Sequence, residues 1–452
     1  MDILDFIFFF IYVFIFNIIF SARRKKYDNP ILKKYHKQAF WIKVWSTLAF
    51  SMFVIYLSPG DTTGPYYPEG INIAKLIIKN PDNIRLLFIK GIDFDQALLT
   101  DIGNAGYFNE ESNYMVTRMV AFFSFFTFGK FMAINLVFSM ISFTGTWRLF
   151  RFFYEQYPHM HKQFAIAILY LPTFVFWSSG ILKDPICTGA LGWITYSLYS
   201  IFYTKNNLLK NMIIVFVFGF FLISLKIYIL VAYLPFFILF LILKNVNLVK
   251  NPVIKASLIL GFLLGSVLGF VKITNSIQGA LSSYASKGIT ASIKNYQTNY
   301  ENQSEFVQSN FSLGVEFDGS TGSLAKMAPA AIVATLFRPF IWESKKLSTL
   351  LSSMESLALM IFTLYVFRKV GIMGFFRSIV KSPLVLYCFF YSLLFALFVG
   401  ATTLNFGTLV RYKIPGIPFY LISLFFILEF NIAINFYQTT FDQMSINKSF
   451  IF

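Results

Sequence analysis

The sequence predicts an all-α, polytopic membrane protein with about eleven transmembrane helices and two large extracytoplasmic segments that carry amphipathic helices. Of its 452 residues, 57% are hydrophobic and only 13% are charged, whereas about a quarter of the residues in a soluble domain are charged. Apolar runs of roughly 20 residues, the length that crosses the hydrocarbon core of a bilayer, recur along the chain. These features exclude a soluble globule and predict a single membrane domain over residues 1–452.

Eleven apolar runs are predicted to span the membrane. The first run is predicted to be a spanning helix and not a cleaved signal peptide, because it lacks the basic start and the small-residue cleavage site of such a peptide. The run 116–128 is too short to cross unaided and is predicted to be an interfacial or re-entrant helix. The predicted spans cover residues 3–21, 40–58, 131–147, 163–182, 186–203, 211–225, 227–243, 253–271, 349–366, 383–402 and 414–434.

The basic residues predict the orientation. With the N-terminus outside, 21 of the 38 lysines and arginines but only four of the 21 acidic residues fall in the inner segments. Because cytoplasmic loops collect positive charge, we expect an inner-membrane protein of a bacterium with an outside N-terminus and a cytoplasmic C-terminus. This distribution accounts for the net charge of +17 without nucleic-acid binding.

Several other chemistries are excluded by residue content. Cys187 and Cys388 both lie in apolar runs, so neither a disulfide framework nor a thiolate metal cluster is expected. Three histidines are too few for a histidine-rich metal centre. The absence of a Walker loop and of a GxGxxG motif after a strand argues against ATP-driven transport.

The predicted outer segments, 59–130 and 272–348, are much longer than the inner loops, and long loops tend to be functional or disordered. The first alternates apolar and polar residues in INIAKLIIKN, NIRLLFIK and FDQALLTDIG, a pattern typical of short amphipathic helices on the outer leaflet. In the second, residues 328–342 are apolar and are predicted to return to the membrane surface.

Two carboxylate positions stand out in the first outer segment. Asp61, in a Gly- and Pro-rich turn after the second span, is the candidate general base that deprotonates an acceptor hydroxyl; the alternative is a turn-capping role. Asp93 and Asp95 are a candidate site for a divalent cation, although a solvated helix start is the favoured interpretation. No other cofactor or metal site is expected.

Cations at the outer surface are the candidate substrate-binding groups. Arg118 has the guanidinium geometry that binds two phosphate oxygens, or it reaches the interface as a membrane anchor. Lys183 and Asp184 lie between two spans, either as a salt-bridged hairpin or with the lysine offered to a diphosphate. Lys226, predicted near the middle of the bilayer, requires a polar cavity or an anionic partner such as Glu355.

The end of the second outer segment and the last span add further candidates. Arg338 and Glu343 flank Pro339 and Trp342 at the returning edge of the loop; membrane anchoring by Trp and Arg is the alternative. Arg411 opens an irregular, proline-containing entry to the last span. We expect a carboxylate and several fixed cations to gather around a substrate with an anionic head and an apolar tail, such as a polyprenyl-linked saccharide.

Four stretches resemble multi-spanning glycosyltransferases that use lipid-linked sugars (the GT-C superfamily) and bacterial Wzy-type polysaccharide polymerases. They are GDTTGPYY, LPTFVFWSSGILKDP, LFRPFIWE with SSMESLAL, and RYKIPGIPFY. The resemblance implies an acidic base in the first outer loop, at Asp61. The acidic pair common in GT-C first loops is absent there, and Asp93 with Asp95 is its candidate substitute. In a polymerase, arginines would hold two lipid diphosphates without a metal.

These observations predict a membrane glycosyltransferase or polysaccharide polymerase that takes sugar units from a polyprenyl-(di)phosphate-linked donor on the extracytoplasmic side. Its expected partners are the lipid-linked saccharide, membrane lipids and other polysaccharide-assembly proteins. The alternative is a transporter or flippase for a lipid-linked sugar. Such carriers typically have related halves, and the chain shows no internal repeat.

Overall fold

The computed structural model describes residues 2–245, 309–315 and 321–431, with isolated positions between 253 and 265. These residues are almost entirely helical, and no β-strand occurs among them beyond an isolated bridge between Asn310 and Asn405. The all-α prediction is therefore confirmed for this part of the chain. Most of the predicted eighth span, residues 272–308 of the second outer segment and the end of the last span lie outside the described residues.

The α-helices are numbered in chain order. Their bounds are α1 Ile3–Lys25, α2 Pro30–Met52, α3 Tyr67–Lys79, α4 Glu111–Thr127, α5 Phe131–Gln156, α6 His161–Phe164, α7 Pro172–Trp177, α8 Lys183–Tyr199, α9 Leu208–Asn245, α10 Thr321–Phe337, α11 Leu347–Lys381, α12 Pro383–Thr402, α13 Phe406–Tyr412 and α14 Ile417–Asn431.

Five helical segments in the described part are long and apolar enough to cross a membrane. They are α1, α2 with its π-helical extension to Leu57, α9, α11 and α12. The bent pairs α4–α5, at 113°, and α13–α14, at 61°, raise the number to seven if each pair forms one span. The chain thus has the helices of a membrane-embedded protein. The bend between α4 and α5 matches the prediction that residues 116–128 form a helix separate from the third span.

The predicted fourth span, 163–182, is broken in the structure. After α6 the chain forms a π-helical turn, Ala165–Tyr170, and Leu171 then adopts an extended conformation before α7 begins at Pro172. Proline has no amide proton and disfavours a helical conformation of the residue before it. Residues 163–182 are therefore not one continuous helix, and a turn of 178–182 separates α7 from α8.

The described chain forms two compact units, of which the first ends at Val231 and the second begins at Ala232. In the first unit, α5 and α8 pack with their backbones in contact. A Cβ atom on Gly145 would lie 1.9 Å from the carbonyl oxygen of Gly189, and one on Gly192 would lie 2.0 Å from that of Gly145. Only glycine permits this approach, which holds α8 firmly against α5.

Helices α8 and α9 form a hairpin. Residues 208–225 of α9 rise about 27 Å at 1.5 Å per residue, close to the roughly 30 Å of a bilayer core. At Lys226 the backbone leaves the helical conformation, with φ −151° and ψ 72°, and the side chain meets Asp184 at the start of α8. The predicted break at Lys226 is confirmed. The depth of Lys226 in a bilayer stays a prediction, because Leu208–Lys244 is long and apolar enough to be a single span, with Lys226 as its central residue.

The first outer segment has a hydrophobic core of its own. Helix α3 is amphipathic, as predicted, and buries Ile73, Ala74 and Ile77 while Lys75 and Lys79 are exposed. The following stretches form short 3-10 turns instead of the predicted amphipathic helices. The core is completed by side chains from these turns and from α4, namely Leu86, Phe94, Phe108, Tyr114 and Ala121.

In the second unit, α10 ends at Phe337, two residues before Pro339. Helix α11 is kinked at Gly371, whose φ of 71° favours glycine. Helix α12 covers the predicted tenth span residue for residue. The predicted irregular entry to the last span is also confirmed, since α13 and α14 are separated by a turn that contains Pro415.

Candidate functional site

The centre of the candidate site is a buried ion pair between the hairpin helices of the first unit. The Lys226 Nζ atom donates to the Asp184 Oδ1 atom at 2.6 Å, and the two side chains are 4% and 0% exposed. Asp184 occupies the first turn of α8, where the positive end of the helix dipole also favours a carboxylate. The structure therefore supplies the anionic partner that Lys226 was expected to need. A pairing with Glu355, which belongs to the second unit, stays a prediction.

Lys183 lies beside this pair and donates to the Ser112 Oγ atom at 2.7 Å. Burial lowers the pKa of the Lys183 ammonium to about 8, and the charge of Lys226 acts in the same direction. The charges of Glu110, Asp61 and Asp184 oppose the shift. These four groups therefore lie within electrostatic range of Lys183, and we call the five residues together the acid–lysine cluster.

Asp61 reaches the cluster because its turn is tied to the chain just before Lys183. The Thr62 Oγ1 atom donates to the carbonyl oxygen of Ile181 at 2.8 Å, and the amide of Tyr66 donates to the Asp61 carbonyl at 3.0 Å. A buried hydroxyl and a π-helical turn thus hold the carboxylate near the N-terminal end of α8. This arrangement agrees with the expectation that four of the candidate residues gather in one place, namely Asp61, Lys183, Asp184 and Lys226.

Glu110 is a member of the cluster that the sequence analysis missed. Burial raises the pKa of its carboxyl group, the charge of Asp61 adds to the shift, and that of Lys183 opposes it. The Asn113 side chain donates to Glu110 at 3.3 Å and accepts from the Tyr66 hydroxyl at 3.1 Å. The sequence contains one feature that could have pointed to Glu110, because Glu110 and Glu111 form an adjacent acidic pair in the first outer segment.

A buried lysine supports the turn that leads into the cluster. Lys43 lies within α2 and is 4% exposed. Its Nζ atom donates to the carbonyl oxygen of Ser178 at 2.7 Å and to the Ser142 hydroxyl at 3.2 Å. A cation at the end of α7 complements the carbonyl groups there, so Lys43 fixes the segment that positions Lys183 and Asp184.

Arg118 is engaged within the first outer segment. It pairs with Glu111, donates to the carbonyl oxygen of Ile89 at 2.9 Å, and lies 4.9 Å from the centre of the Tyr114 ring. These contacts tie α4 to the stretch between the 3-10 turns Pro81–Leu87 and Gly91–Asp93. They explain Arg118 as a structural residue of this segment and do not require a phosphate ligand.

Arg338 and Glu343 form a second polar group, which belongs to the second unit. The Arg338 Nε atom donates to Glu343 at 3.0 Å, and the guanidinium lies 4.3 Å from the Phe311 ring and 5.2 Å from the Phe406 ring. Lys413 donates to the Arg338 carbonyl at 3.0 Å. The pair therefore joins the end of α10 to the start of α13.

Arg411 belongs to the same unit, and its half-buried side chain comes from α13, two residues before Lys413. The Lys413 Nζ atom also donates to the Ser356 hydroxyl of α11 at 2.7 Å. Lys413 directly follows α13, so its two hydrogen bonds connect that helix to α11 and to Arg338, the residue after α10. Arg411 lies on α13 itself.

The proposed cation site at Asp93 and Asp95 has little support from geometry. Both side chains are exposed, and Asp95 accepts from the amide of Ala97 at 3.0 Å, as expected for a turn cap. Within the described ranges, no group of three His, Cys, Asp or Glu residues is arranged to hold a metal ion.

The acid–lysine cluster combines the elements of proton transfer with those of anion binding. Burial raises the pKa of the Glu110 carboxyl group, which suits a proton donor, and Asp61 is a second carboxylate of the same site. Lys183, with a pKa near 8, is available to bind or neutralise a phosphate oxygen. Comparison of the chain with protein-family models, with curated proteins and with solved structures found no match.

Proposed function

We propose that the protein is a membrane transferase that moves sugar units from a polyprenyl-(di)phosphate-linked donor on the extracytoplasmic side, in the assembly of a surface polysaccharide. The single observation that carries the proposal is the acid–lysine cluster at the outer end of the α8–α9 hairpin. A cluster of carboxylates and lysines that is partly buried beside apolar helices suits a substrate with an anionic head and a lipid tail. A polymerase and a single-sugar transferase are both compatible with it.

In this mechanism, Asp61 accepts the proton of the acceptor hydroxyl. Lys183 stabilises the developing charge on the leaving phosphate. Glu110, whose pKa is raised by burial and by the charge of Asp61, carries a proton within the cluster. The Asp184–Lys226 pair sets the position of Lys183 at the start of α8. A divalent cation near Asp93 and Asp95 is not needed for any of these steps.

The eleven-span topology belongs to this proposal. Helix α9 has 38 residues and would extend about 57 Å if straight, nearly twice a bilayer core. The break at Lys226 divides it into two segments that are each about as long as one span. This length argument supports separate sixth and seventh spans. The outside N-terminus and an extracytoplasmic cluster in the inner membrane are supported by the distribution of basic residues in the sequence.

The proposal is tested by analysing lipid-linked saccharides from cells that express Asp61→Asn or Glu110→Gln. We expect unjoined lipid-linked units to accumulate on the outer face, because acceptor activation is lost while delivery continues. Asp93→Asn with Asp95→Asn is the matched control, since it removes exposed carboxylates of the same outer segment without touching the cluster. Protein levels in the membrane must be equal among the variants.

Two outcomes would overturn the proposal. If both variants leave the glycan and its precursors unchanged, the cluster has no role in sugar transfer. If the precursors are trapped on the cytoplasmic face instead, the protein is a carrier of the lipid-linked sugar, which is the alternative function.

A further inference from the structure

A cavity unrelated to the acid–lysine cluster lies beside α2 in the first unit. Its volume is about 660 Å³, and it is lined by Lys34, Lys37, Gln38, Trp41, Ile42 and Tyr170. Two of these six residues are basic and none is acidic. The Tyr170 hydroxyl donates to the Gln38 Oε1 atom at 2.8 Å, which joins α2 to the broken helical segment that precedes Pro172.

The lining residues of α2 share one face of the helix. Lys34, Lys37, Gln38 and Trp41 have the i, i+3, i+4, i+7 spacing of a single helical stripe. Trp41 lies about 10 Å along the axis from Lys34, and the exposed Trp45 lies about 16 Å from it. The stripe therefore changes from charged to apolar over about half the thickness of a bilayer core.

The charged end of the cavity is part of a larger basic surface. His161 at the start of α6 is within electrostatic range of Lys34 and of Lys162. Burial lowers the pKa of this histidine, and the two lysine charges lower it further. The neutral His161 ring is held by the Tyr35 hydroxyl at 2.8 Å. An anionic group that enters the cavity would thus meet several cations.

We propose that this cavity binds an anionic phospholipid, with the phosphate between Lys34 and Lys37 and the acyl chains along Trp41, Ile42 and Trp45. Basic pockets at the ends of membrane helices attract anionic headgroups, and an aromatic residue at the interface suits the boundary between headgroup and acyl chain. The apolar half of the stripe, at Trp41 and Trp45, would contact the acyl chains of a lipid, which a soluble phosphate lacks. The site is independent of the proposed transfer reaction.

The test measures lipid binding by the full-length protein in detergent by native mass spectrometry. The probes are phosphatidylglycerol, phosphatidylcholine with the same acyl chains, and the water-soluble glycerol phosphate. Lys34→Gln with Lys37→Gln removes the two cations. The matched control, Lys75→Gln with Lys79→Gln, removes two exposed lysines of α3 in the same unit. Trp41→Ala tests the acyl-chain contact.

We expect wild type and the α3 control to bind phosphatidylglycerol more tightly than phosphatidylcholine. The Lys34/Lys37 double variant should bind phosphatidylglycerol about 30-fold more weakly, and Trp41→Ala should also weaken its binding. Equal weakening in the α3 control would show general charge attraction and overturn the site. Equal binding of the two lipids by wild type, or binding of glycerol phosphate as tightly as the lipid, would also overturn it.

Discussion

The buried pair of Asp184 and Lys226 makes a quantitative prediction about stability. Lys226→Met leaves the Asp184 carboxylate at a position where its side chain is 0% exposed, so no water can replace the ammonium. Removal of one partner from a buried pair costs about 3–5 kcal/mol. We expect Lys226→Met and Asp184→Leu each to lower the free energy of unfolding by that amount.

The double variant Asp184→Leu with Lys226→Met separates pairing from packing. It buries no charge at either position, and replacement of a complete buried pair by apolar side chains is often neutral or stabilising. The double variant should therefore be more stable than either single variant, with a coupling free energy of at least about 3 kcal/mol. Lys210→Met, an exposed lysine of the same helix, is the control and should change stability by less than about 0.5 kcal/mol.

The measurement is reversible unfolding in mixed detergent micelles, with wild type and the four variants compared under identical conditions. The reasoning is refuted if the double variant loses the sum of the two single losses, because the two residues would then not be coupled. It is also refuted if the single variants lose no more than Lys210→Met. Either result would remove the support that the pair provides for the position of Lys183.

Three further predictions concern other parts of the first unit. The pKa of Lys183 falls from 10.5 to about 8 on folding, so the folded state loses the ammonium proton at a lower pH than the unfolded state does. The thermal stability of wild type relative to Lys183→Met should therefore rise between pH 8 and 10.5 and stay level below pH 8. Gly145→Ala should cost about 3 kcal/mol in unfolding measurements, since the backbone contact cannot yield, whereas Gly219→Ala, with open space around it, should not destabilise; equal losses would contradict the close helix packing. Glu69 accepts from the Thr100 amide at 3.1 Å and from its hydroxyl at 2.7 Å, so Glu69→Gln should accelerate hydrogen exchange of that amide about tenfold, and unchanged exchange would refute this anchoring role.

The boundaries of the apolar helices follow closely from the sequence where one physical signal dominates. Helix α12 begins at Pro383 and matches its predicted span because proline suits the first turn of a helix and the 20-residue segment that it opens is mainly apolar. The predicted span of 163–182 was less successful, since hydropathy alone does not register the effect of Pro172 on Leu171. The number of spans is likewise only partly determined, because a break such as that at Lys226 changes one long helix into two segments without changing its composition.

The residues of the candidate site were likewise predicted only in part from the sequence. Residue type and position in the chain pointed to Asp61, Lys183, Asp184 and Lys226, since charged groups near apolar runs are costly and need partners. Glu110 was missed, because its role depends on burial beside Asp61 and Lys183 rather than on any local pattern. Arg118 was selected for the same reason, the cost of a charge near an apolar run, yet its charge is paired with Glu111 of the same segment.

Composition and the order of apolar runs are local properties of the chain, and they determined by themselves that this protein is a helical membrane protein with long segments between some of its helices. Which charges meet was decided only by the tertiary structure. Asp184 and Lys226 are 42 residues apart, and they become partners because the break in α9 at Lys226 lies beside the first turn of α8. Such coincidences in space are set by helix length and close packing together, so neither residue's neighbours in the chain reveal them.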